Sequence, residues 1–198
     1  VIHNRGGFNG GGLWAGLEAW LTGCTIVDNE VNYEGGGVYA KEASLFGCIV
    51  AGNGGTRNVY VWDNDALYPD TGYEGTQHNV IGYVTGYTQA DIFGAAPALQ
   101  DNGGPTRTIE LKNGSAAAEK ITEAQLRARE QELANAGFTV DLSLDQRGEA
   151  RPSGALAELG AVERAAARPA ADPPGGAYPL DAGQDVELTS PTPGAQIY

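Results

Sequence analysis

Two short segments in which apolar and polar residues alternate occur twice near the start of the chain. In the first copy Leu13-Trp14-Ala15 follows a run of glycines, and in the second copy Val38-Tyr39-Ala40 follows another. Each copy continues through a Gly-Cys pair, at residues 23–24 and 47–48, into a second apolar segment. Such alternation predicts β-strands, and repetition at this period predicts a solenoid. One copy cannot bury its apolar face alone, so we expect the copies to stack as successive coils.

The spacing of the two copies predicts how their residues pair. Gly12 and Gly37 are 25 residues apart but Cys24 and Cys48 only 24, so the first copy has one extra residue within 16–20. Equivalent residues of neighbouring coils should lie about 4.8 Å apart, as in adjacent strands. The expected ladders are Trp14 on Tyr39, Cys24 on Cys48, Ile26 on Val50 and Asn29 on Asn53. By alternation the inward side chains are Leu13, Cys24, Ile26, Val38, Cys48 and Val50, whereas the aromatic residues Trp14 and Tyr39 point outward.

These ladders predict an all-β fold, the C-terminal coils of a right-handed parallel β-helix. Alternation predicts further strands at residues 57–62 and 138–144, and a strand is also expected at 106–111. The chain should leave the stack in a loop at 63–78, return to it at 79–82 and form a short strand or turn at 83–93. One inserted surface helix is expected at 123–136, because Thr122 and Gln125 form a capping-box pattern and Gly137 is a typical stop. Leu126 and Leu133 give this helix a thin apolar stripe.

Several runs later in the chain carry a family resemblance. These are Asn79-Val80-Ile81-Gly82, Pro97-Ala98-Leu99-Gln100-Asp101-Asn102-Gly103-Gly104-Pro105-Thr106-Arg107-Thr108, Asp145-Gln146-Arg147-Gly148, Arg151-Pro152 and Leu159-Gly160-Ala161-Val162-Glu163. With the glycine-rich repeats, they resemble the choice-of-anchor Q type β-helix domain and, more distantly, the repeats of polymorphic outer-membrane proteins. The resemblance implies the closing coils of a β-helix exposed outside a Gram-negative-type bacterium, with residues 158–163 as the final strand. It implies no particular activity, since the functions of that family are mostly unassigned.

The chain divides into three expected parts. Residues 1–163 are the C-terminal coils and cap of the β-helix, and 164–182 are an Ala/Pro-rich linker in which no strand ladder is expected. Residues 183–198 resemble the first strands of a small chitobiase-C-terminal-like β-sandwich, which would be incomplete here. Because the chain opens within a repeat, we expect it to be a fragment of a longer protein.

Charge and hydropathy narrow the range of partners and the compartment. The chain carries a formal net charge of −13 and has a pI of about 4.4. This balance argues against nucleic acid and against an anionic membrane surface as partners. No apolar run approaches the ~20 residues that span a bilayer, so no membrane insertion is expected. A glycine-rich acidic solenoid suits a secreted or bacterial cell-surface protein.

The two cysteines admit two arrangements. Neighbouring coils would place their Cα atoms within the roughly 4.4–6.8 Å range of disulfides. Side chains in a ladder are parallel, however, and free cysteine also behaves as a small buried apolar residue. We expect a stacked, reduced pair, with a disulfide as the alternative.

The outward aromatic residues are the first candidate site. Trp14, Tyr39, Tyr60 and Trp62 would form a stripe on one outer face, and exposed flat rings are the surfaces on which sugar rings stack. The alternative is that the loop at 63–78, or the segment after Pro97, covers them, since large aromatic residues are usually mostly buried.

An acidic loop is the second candidate. Its carboxylates, Asp63, Asp65, Asp70 and Glu74, lie in sequence near Arg57 and His78. A pair of them could be catalytic in a polysaccharide lyase or glycoside hydrolase, or could hold a structural Ca²⁺. Asp and Asn are equally ordinary turn residues, and the spacing matches no EF-hand. We therefore expect no catalytic residues, no metal site and no cofactor, with structural Ca²⁺ as the alternative.

The third candidate set is formed by charged residues of the resemblance motifs, Asp101, Asp145, Arg147 and Arg151. A stack of coils needs a cap, because an open strand edge would otherwise remain. We expect ion pairs between these arginines and aspartates to hold that cap, which is a structural role.

The function expected from the sequence is a non-catalytic scaffold or adhesin-like protein that binds glycans. A polysaccharide, or another chain paired at a strand edge, is the expected partner. The alternative is a carbohydrate-active enzyme whose active coils lie upstream or at residues 57–78.

Overall fold

The structure is a computed structural model, which describes residues 1–62, 79–81, 87–94, 96–164, 170–172 and 187–189. The described chain is rich in β-strands and contains two helices. Its strands are β1 Leu13–Thr22, β2 Thr25–Val27, β3 Val38–Phe46, β4 Ile49–Ala51, β5 Val59–Val61, β6 Val80–Ile81, β7 Ala170–Asp172 and β8 Glu187–Thr189, and its helices are α1 Gln89–Phe93 and α2 Glu123–Asn135.

The first six strands form two small parallel sheets, in the orders β1-β3-β5 and β2-β4-β6. The registers agree with the predicted ladders, since Trp14 pairs with Tyr39 and Ile26 with Val50. The register shifts between Ala15 and Glu18, where β1 has one more residue than β3. This β-bulge accommodates the extra residue that the sequence spacing located in the first copy.

Asparagine side chains connect one coil to the next. The Asn29 amide Nδ2 donates to Asn53 Oδ1 at 2.8 Å, and Asn4 Nδ2 donates to Asn29 Oδ1 at 2.9 Å. The ladder ends at Asn58, whose Oδ1 accepts from Asn53 Nδ2 at 3.0 Å. Each Oδ1 also accepts from a backbone N–H of the previous asparagine, so the ladder satisfies buried backbone donors as well.

Two apolar cores lie on opposite faces of the β2-β4 strands. The first lies between the two sheets, and its buried members are Ala19, Ile26, Val38, Ala40, Leu45, Cys48, Val50 and Val59. The second covers the other face, where Val27, Ile49 and Ala51 are fully buried. Its remaining members come from later in the chain, namely Ile92, Ile109, Leu111, Ala117, Ile121, Leu126, Ala157 and Leu159. β2 and β4 are therefore apolar on both faces, which simple alternation does not predict.

The segment from residue 96 to 164, here called the closing segment, contains one helix and no strand. The strands predicted at 106–111, 138–144 and 158–163 were wrong. Isolated antiparallel bridges occur instead, such as Ile121 with Ala157. At 138–144 the described part of the chain offers no neighbouring strand to pair with over the length of the segment, and the N–H of Leu142 bonds the Glu130 carboxylate at 2.7 Å. Apolar alternation without a pairing partner does not make a strand.

Helix α2 confirms the predicted helix and its capping box. The Thr122 hydroxyl accepts from the Gln125 N–H at 3.2 Å, and the Gln125 carboxamide accepts from the Thr122 N–H at 2.8 Å. Leu126 and Leu133 are buried as expected. Helix α1 was not predicted, since the expectation for residues 83–93 was a short strand or turn. Its own capping box, between Thr88 and Asp91, is the sequence signal that could have revealed it.

Strands β7 and β8 form a separate antiparallel pair. The expectation that residues 164–182 form no strand ladder was therefore wrong. Ala170-Ala171-Asp172 contains no proline, so all three residues keep the backbone N–H that a ladder needs.

Candidate functional site

The outward aromatic residues lie together on the β1-β3-β5 sheet and form a stacked set, here called the aromatic column. Tyr39 stacks on Tyr60 with ring centroids 5.3 Å apart and an angle of 11° between the planes. Trp62 stacks on Tyr39 at 4.8 Å and on Trp14 at 6.2 Å. The parallel register explains the arrangement, because it places Trp14, Tyr39 and Tyr60 at equivalent positions of three strands.

The aromatic column presents open surface chiefly at two of its rings. Trp14 is 59% exposed and Trp62 is 37% exposed, whereas Tyr39 and Tyr60 are half-buried by their neighbours. The guanidinium of Arg57 lies 5.4 Å from the centre of the Tyr60 ring, within cation–π range. Partial burial, together with nearby Tyr60 and Glu34, raises the pKa of Tyr39. Of the two covers given as the alternative, the loop at 63–78 lies outside the described residues. The segment after Pro97 packs on β2 and β4 and leaves Trp14 exposed.

A left-handed glycine turn precedes both Trp14 and Tyr39. Gly35 has φ +64°, and a Cβ atom there would lie 2.8 Å from Cβ of Tyr39. Gly10 stands in the same relation to Trp14, with φ +72° and the same 2.8 Å approach. A side chain at either glycine would clash with the aromatic residue, so the glycines position the column.

A second aromatic surface was missed by the sequence analysis. Trp20 and Phe138 approach with centroids 6.1 Å apart and an interplanar angle of 46°. They line a groove of about 490 Å³, here called the Trp20 groove, with Leu17, Glu18, Lys41, Glu42 and Ala136. Trp20 is at an outward position of β1, so strand alternation could have drawn attention to it. Phe138 could not have been placed there, because it is 118 residues away in sequence.

The predicted ion pair of the closing segment forms between Asp145 and Arg147, with Arg147 Nη2 2.8 Å from Asp145 Oδ2. Arg147 also donates to the carbonyl oxygens of Asn102 and Glu163, which ties two motif loops together. Asp101 lies in the first of these loops and accepts from the Gly103 N–H at 3.3 Å, without an arginine partner among the described residues. Burial alone would raise the pKa of Asp145, but hydrogen bonds from Arg147 and from three backbone N–H groups lower it.

Arg151 pairs with a residue that the sequence analysis did not select. Its Nε donates to Glu163 Oε1 at 2.8 Å, and both side chains are buried. Glu158 lies beside Glu163 and receives a hydrogen bond from Arg164 at 3.2 Å. Burial and the neighbouring Glu158 carboxyl raise the pKa of Glu163 to about 8, despite the charge of Arg151.

The closing segment contacts two successive coils of the stack, the coil that contains β2 and the coil that contains β4. The Gly160 N–H donates to the Gly47 carbonyl at 2.7 Å, and the Ala161 N–H donates to the Thr25 hydroxyl at 3.0 Å. Thr25 and Gly47 belong to successive coils, so the segment runs across the ladder. Asp145, Arg147 and Arg151 therefore fasten a lateral cover over β2 and β4.

The cysteines are reduced. Cys48 is fully buried, whereas Cys24 is only half-buried, so the expectation that both are buried holds for one of them. Each thiol donates to the carbonyl two residues earlier, at 3.4 Å in both cases. The neighbouring Cys48 thiol lowers the pKa of Cys24 to about 7, and burial raises the pKa of Cys48.

Asp63, Asp65, Asp70, Glu74 and His78 lie outside the described residues. Within the described part of the chain, no group of three or more His, Cys, Asp or Glu side chains is arranged to hold a metal ion. None of the described helices is long and apolar enough to cross a membrane.

Comparisons of the chain with protein-family models, with curated proteins and with solved structures gave no match.

Proposed function

We propose that residues 1–163 are coils of a right-handed parallel β-helix together with their lateral cover. The in-register parallel pairing of equivalent residues in successive copies supports this fold. The asparagine ladder supports it too, because it bonds equivalent positions of consecutive coils.

We propose further that the chain is part of a non-catalytic, secreted or cell-surface scaffold or adhesin-like protein that binds glycans. The aromatic column is the observation that carries this proposal. Its rings are stacked on one another, so the exposed faces and edges of Trp14 and Trp62 are held rigidly. A rigid aromatic surface binds the C–H faces of a sugar with little loss of side-chain entropy. A second chain could join the same scaffold by pairing with β1, the outermost strand of its sheet in the described part.

Affinity electrophoresis of the purified chain through gels containing neutral, acidic and amino polysaccharides tests the proposal. We expect at least one polysaccharide to retard the chain, and Trp14→Ala or Trp62→Ala to reduce the retardation. Tyr33→Ala is the matched control, because Tyr33 is 58% exposed and stacks on Phe8 outside the column. Unretarded migration in every gel, or equal retardation of all variants, would reject binding through the column.

The same polysaccharides separate the scaffold from the alternative enzyme. We expect no new reducing ends or unsaturated products after incubation with the chain. Product formation that Asp63→Ala or Asp65→Ala abolishes would establish the carbohydrate-active enzyme instead.

A further inference from the structure

The Trp20 groove lies between the outer surface of β1 and β3 and the C-terminal end of α2. Its volume of about 490 Å³ is within the range of roughly 300–1,000 Å³ typical of small-molecule sites. Leu17 is 71% exposed and Phe138 is 47% exposed, so the apolar part of its lining is open. The groove therefore offers an apolar surface to a ligand on the same sheet that carries the aromatic column.

Trp20 is held in place by its neighbours. Its indole N–H donates to Glu18 Oε2 at 2.9 Å, and the Arg129 guanidinium lies 5.4 Å from the indole ring. Arg129 itself is buried and bonded to β1 and β3 through Thr22 and Ser44. The ring is thus positioned before any ligand arrives, which lowers the entropy cost of binding.

The polar lining of the groove is net negative. Glu18 and Glu42 pair directly in the parallel register of β1 and β3, and both side chains are exposed. Lys41 supplies one positive charge against these two carboxylates. Like charges at paired positions repel, so a cation bound between Glu18 and Glu42 would stabilise this part of the sheet.

We infer that the Trp20 groove binds a cationic amino-sugar unit of a polysaccharide. The apolar face of the sugar packs on Trp20 and Phe138, and its ammonium group donates charge-assisted hydrogen bonds to Glu18 and Glu42. This inference rests on the proposed glycan-binding function and names the sugar class and a second binding surface for it.

Isothermal titration of the chain with a glucosamine tetramer and with the N-acetylglucosamine tetramer tests the inference. Acetylation removes the positive charge and keeps the ring, so we expect the glucosamine tetramer to bind at least about tenfold more tightly. Glu42→Gln and Phe138→Ala should each weaken its binding by about tenfold, because both residues are exposed and contact the ligand in the groove. Glu123→Gln is the matched control, since it removes an exposed carboxylate at the other end of α2.

Circular dichroism of each variant shows whether the fold is kept. Glu42→Gln is the decisive variant, because Glu42 is exposed and its substitution should not disturb the fold. Equal affinities for the two tetramers, no binding of the glucosamine tetramer, or unchanged binding after Glu42→Gln would overturn the inference. In those cases the proposed glycan binding would still stand if another polysaccharide retarded the chain in affinity electrophoresis and Trp14→Ala or Trp62→Ala reduced that retardation. A chain that binds no polysaccharide at all loses both proposals.

Discussion

At the scale of single residues, the asparagine ladder gives the stack much of its specificity. Asn29 is fully buried and bonds both neighbouring coils, with Asn4 on one side and Asn53 on the other. A buried amide costs free energy unless it is hydrogen-bonded, so only the correct register satisfies the ladder.

Asn29→Ala should lower the free energy of unfolding by about 1–3 kcal/mol, since it leaves buried polar groups of the ladder without partners. Chemical denaturation followed by tryptophan fluorescence measures the change. Asn32→Ala is the control on the same coil: Asn32 is exposed and makes one side-chain hydrogen bond, to the Gly7 carbonyl. Equal losses in the two variants would contradict the role of the ladder.

The cysteine pair gives a second prediction at this scale. Cys48→Ser places a hydroxyl in an apolar core, which should cost on the order of 1–3 kcal/mol if the hydroxyl finds no good partner. Cys48→Ala leaves no polar group and should cost less than Cys48→Ser. Denaturation of the two variants compares them, and a mass increase of two hydrogens in the wild-type chain on reduction would reveal a disulfide and refute the reduced pair.

The sequence predicted the positions of those residues that recur at equivalent places in the two copies of the repeat. Trp14, Tyr39, Ile26 and Val50 were paired correctly because the period alone fixes their register. The buried ionisable residues Arg129, Glu158 and Glu163 were not found, because an ionisable residue is normally exposed. The partners that bury each of these residues are distant in sequence or lie in an irregular segment. No local sequence pattern reveals such partners.

At the scale of elements, one buried arginine fixes α2 to the surface of β1 and β3. Arg129 donates to Thr22 and Ser44 at 3.0 Å each and lies over the rings of Trp20 and Phe46. It also bonds Glu132 on its own helix at 2.8 Å. The helix therefore docks through a polar contact flanked by apolar ones.

Arg129→Ala should destabilise the chain by about 1–3 kcal/mol, since it removes buried hydrogen bonds and the packing of the guanidinium on two rings. For a chain of this size that is a fall in Tm of about 2–4 °C per kcal/mol. Arg127→Ala is the matched control, because Arg127 is exposed and its pairs with Glu123 and Glu130 lie on the helix surface. Its Tm should stay nearly unchanged, and an equal fall in both variants would argue against docking through Arg129.

Elements that carry local signals were predictable, and elements that depend on distant partners were not. The capping box and stop signal predicted α2 closely, because helix hydrogen bonds are local. The segment at 138–144 alternates like a strand, yet Phe138 and Val140 remain exposed and unpaired with any strand of the described chain. Strand formation needs a neighbouring backbone, and the sequence does not say which one is adjacent.

At the scale of the whole molecule, the closing segment completes the second core and fastens it with buried charges. Its apolar residues cover Val27, Ile49 and Ala51, and Arg151 reaches the turn at Gly23. The same segment contains two buried carboxyl groups whose pKa values move in opposite directions, Asp145 downward and Glu163 upward. The stability of the chain should therefore depend on pH in a defined way.

For Asp145, the lowered pKa means a stabilising contribution that is present above its ordinary pKa of 3.8 and lost as the pH falls below it. For Glu163, the folded pKa of about 8 lies above the ordinary value of 4.5. Its contribution is complete below pH 4.5 and is lost as the pH rises through 8. Stability should thus be greatest in mildly acidic solution.

Between about pH 5 and about pH 8 the free energy of unfolding should fall, by an amount on the order of a few kcal/mol, since one pKa unit is worth about 1.4 kcal/mol. The net charge of −13 also favours unfolding as the pH rises, because the negative charges of the folded chain repel one another, but salt screens this repulsion. Urea denaturation across this pH range in about 1 M NaCl isolates the contribution of Glu163, because salt screens the interactions of a buried group far less than those of exposed charges. Glu163→Gln should remove most of the remaining pH dependence, whereas Glu149→Gln, an exposed carboxylate of the same segment, should leave it. A pH dependence that disappears in salt would assign the effect to the net charge, and one that persists in salt in Glu163→Gln would assign it to a titrating group other than Glu163.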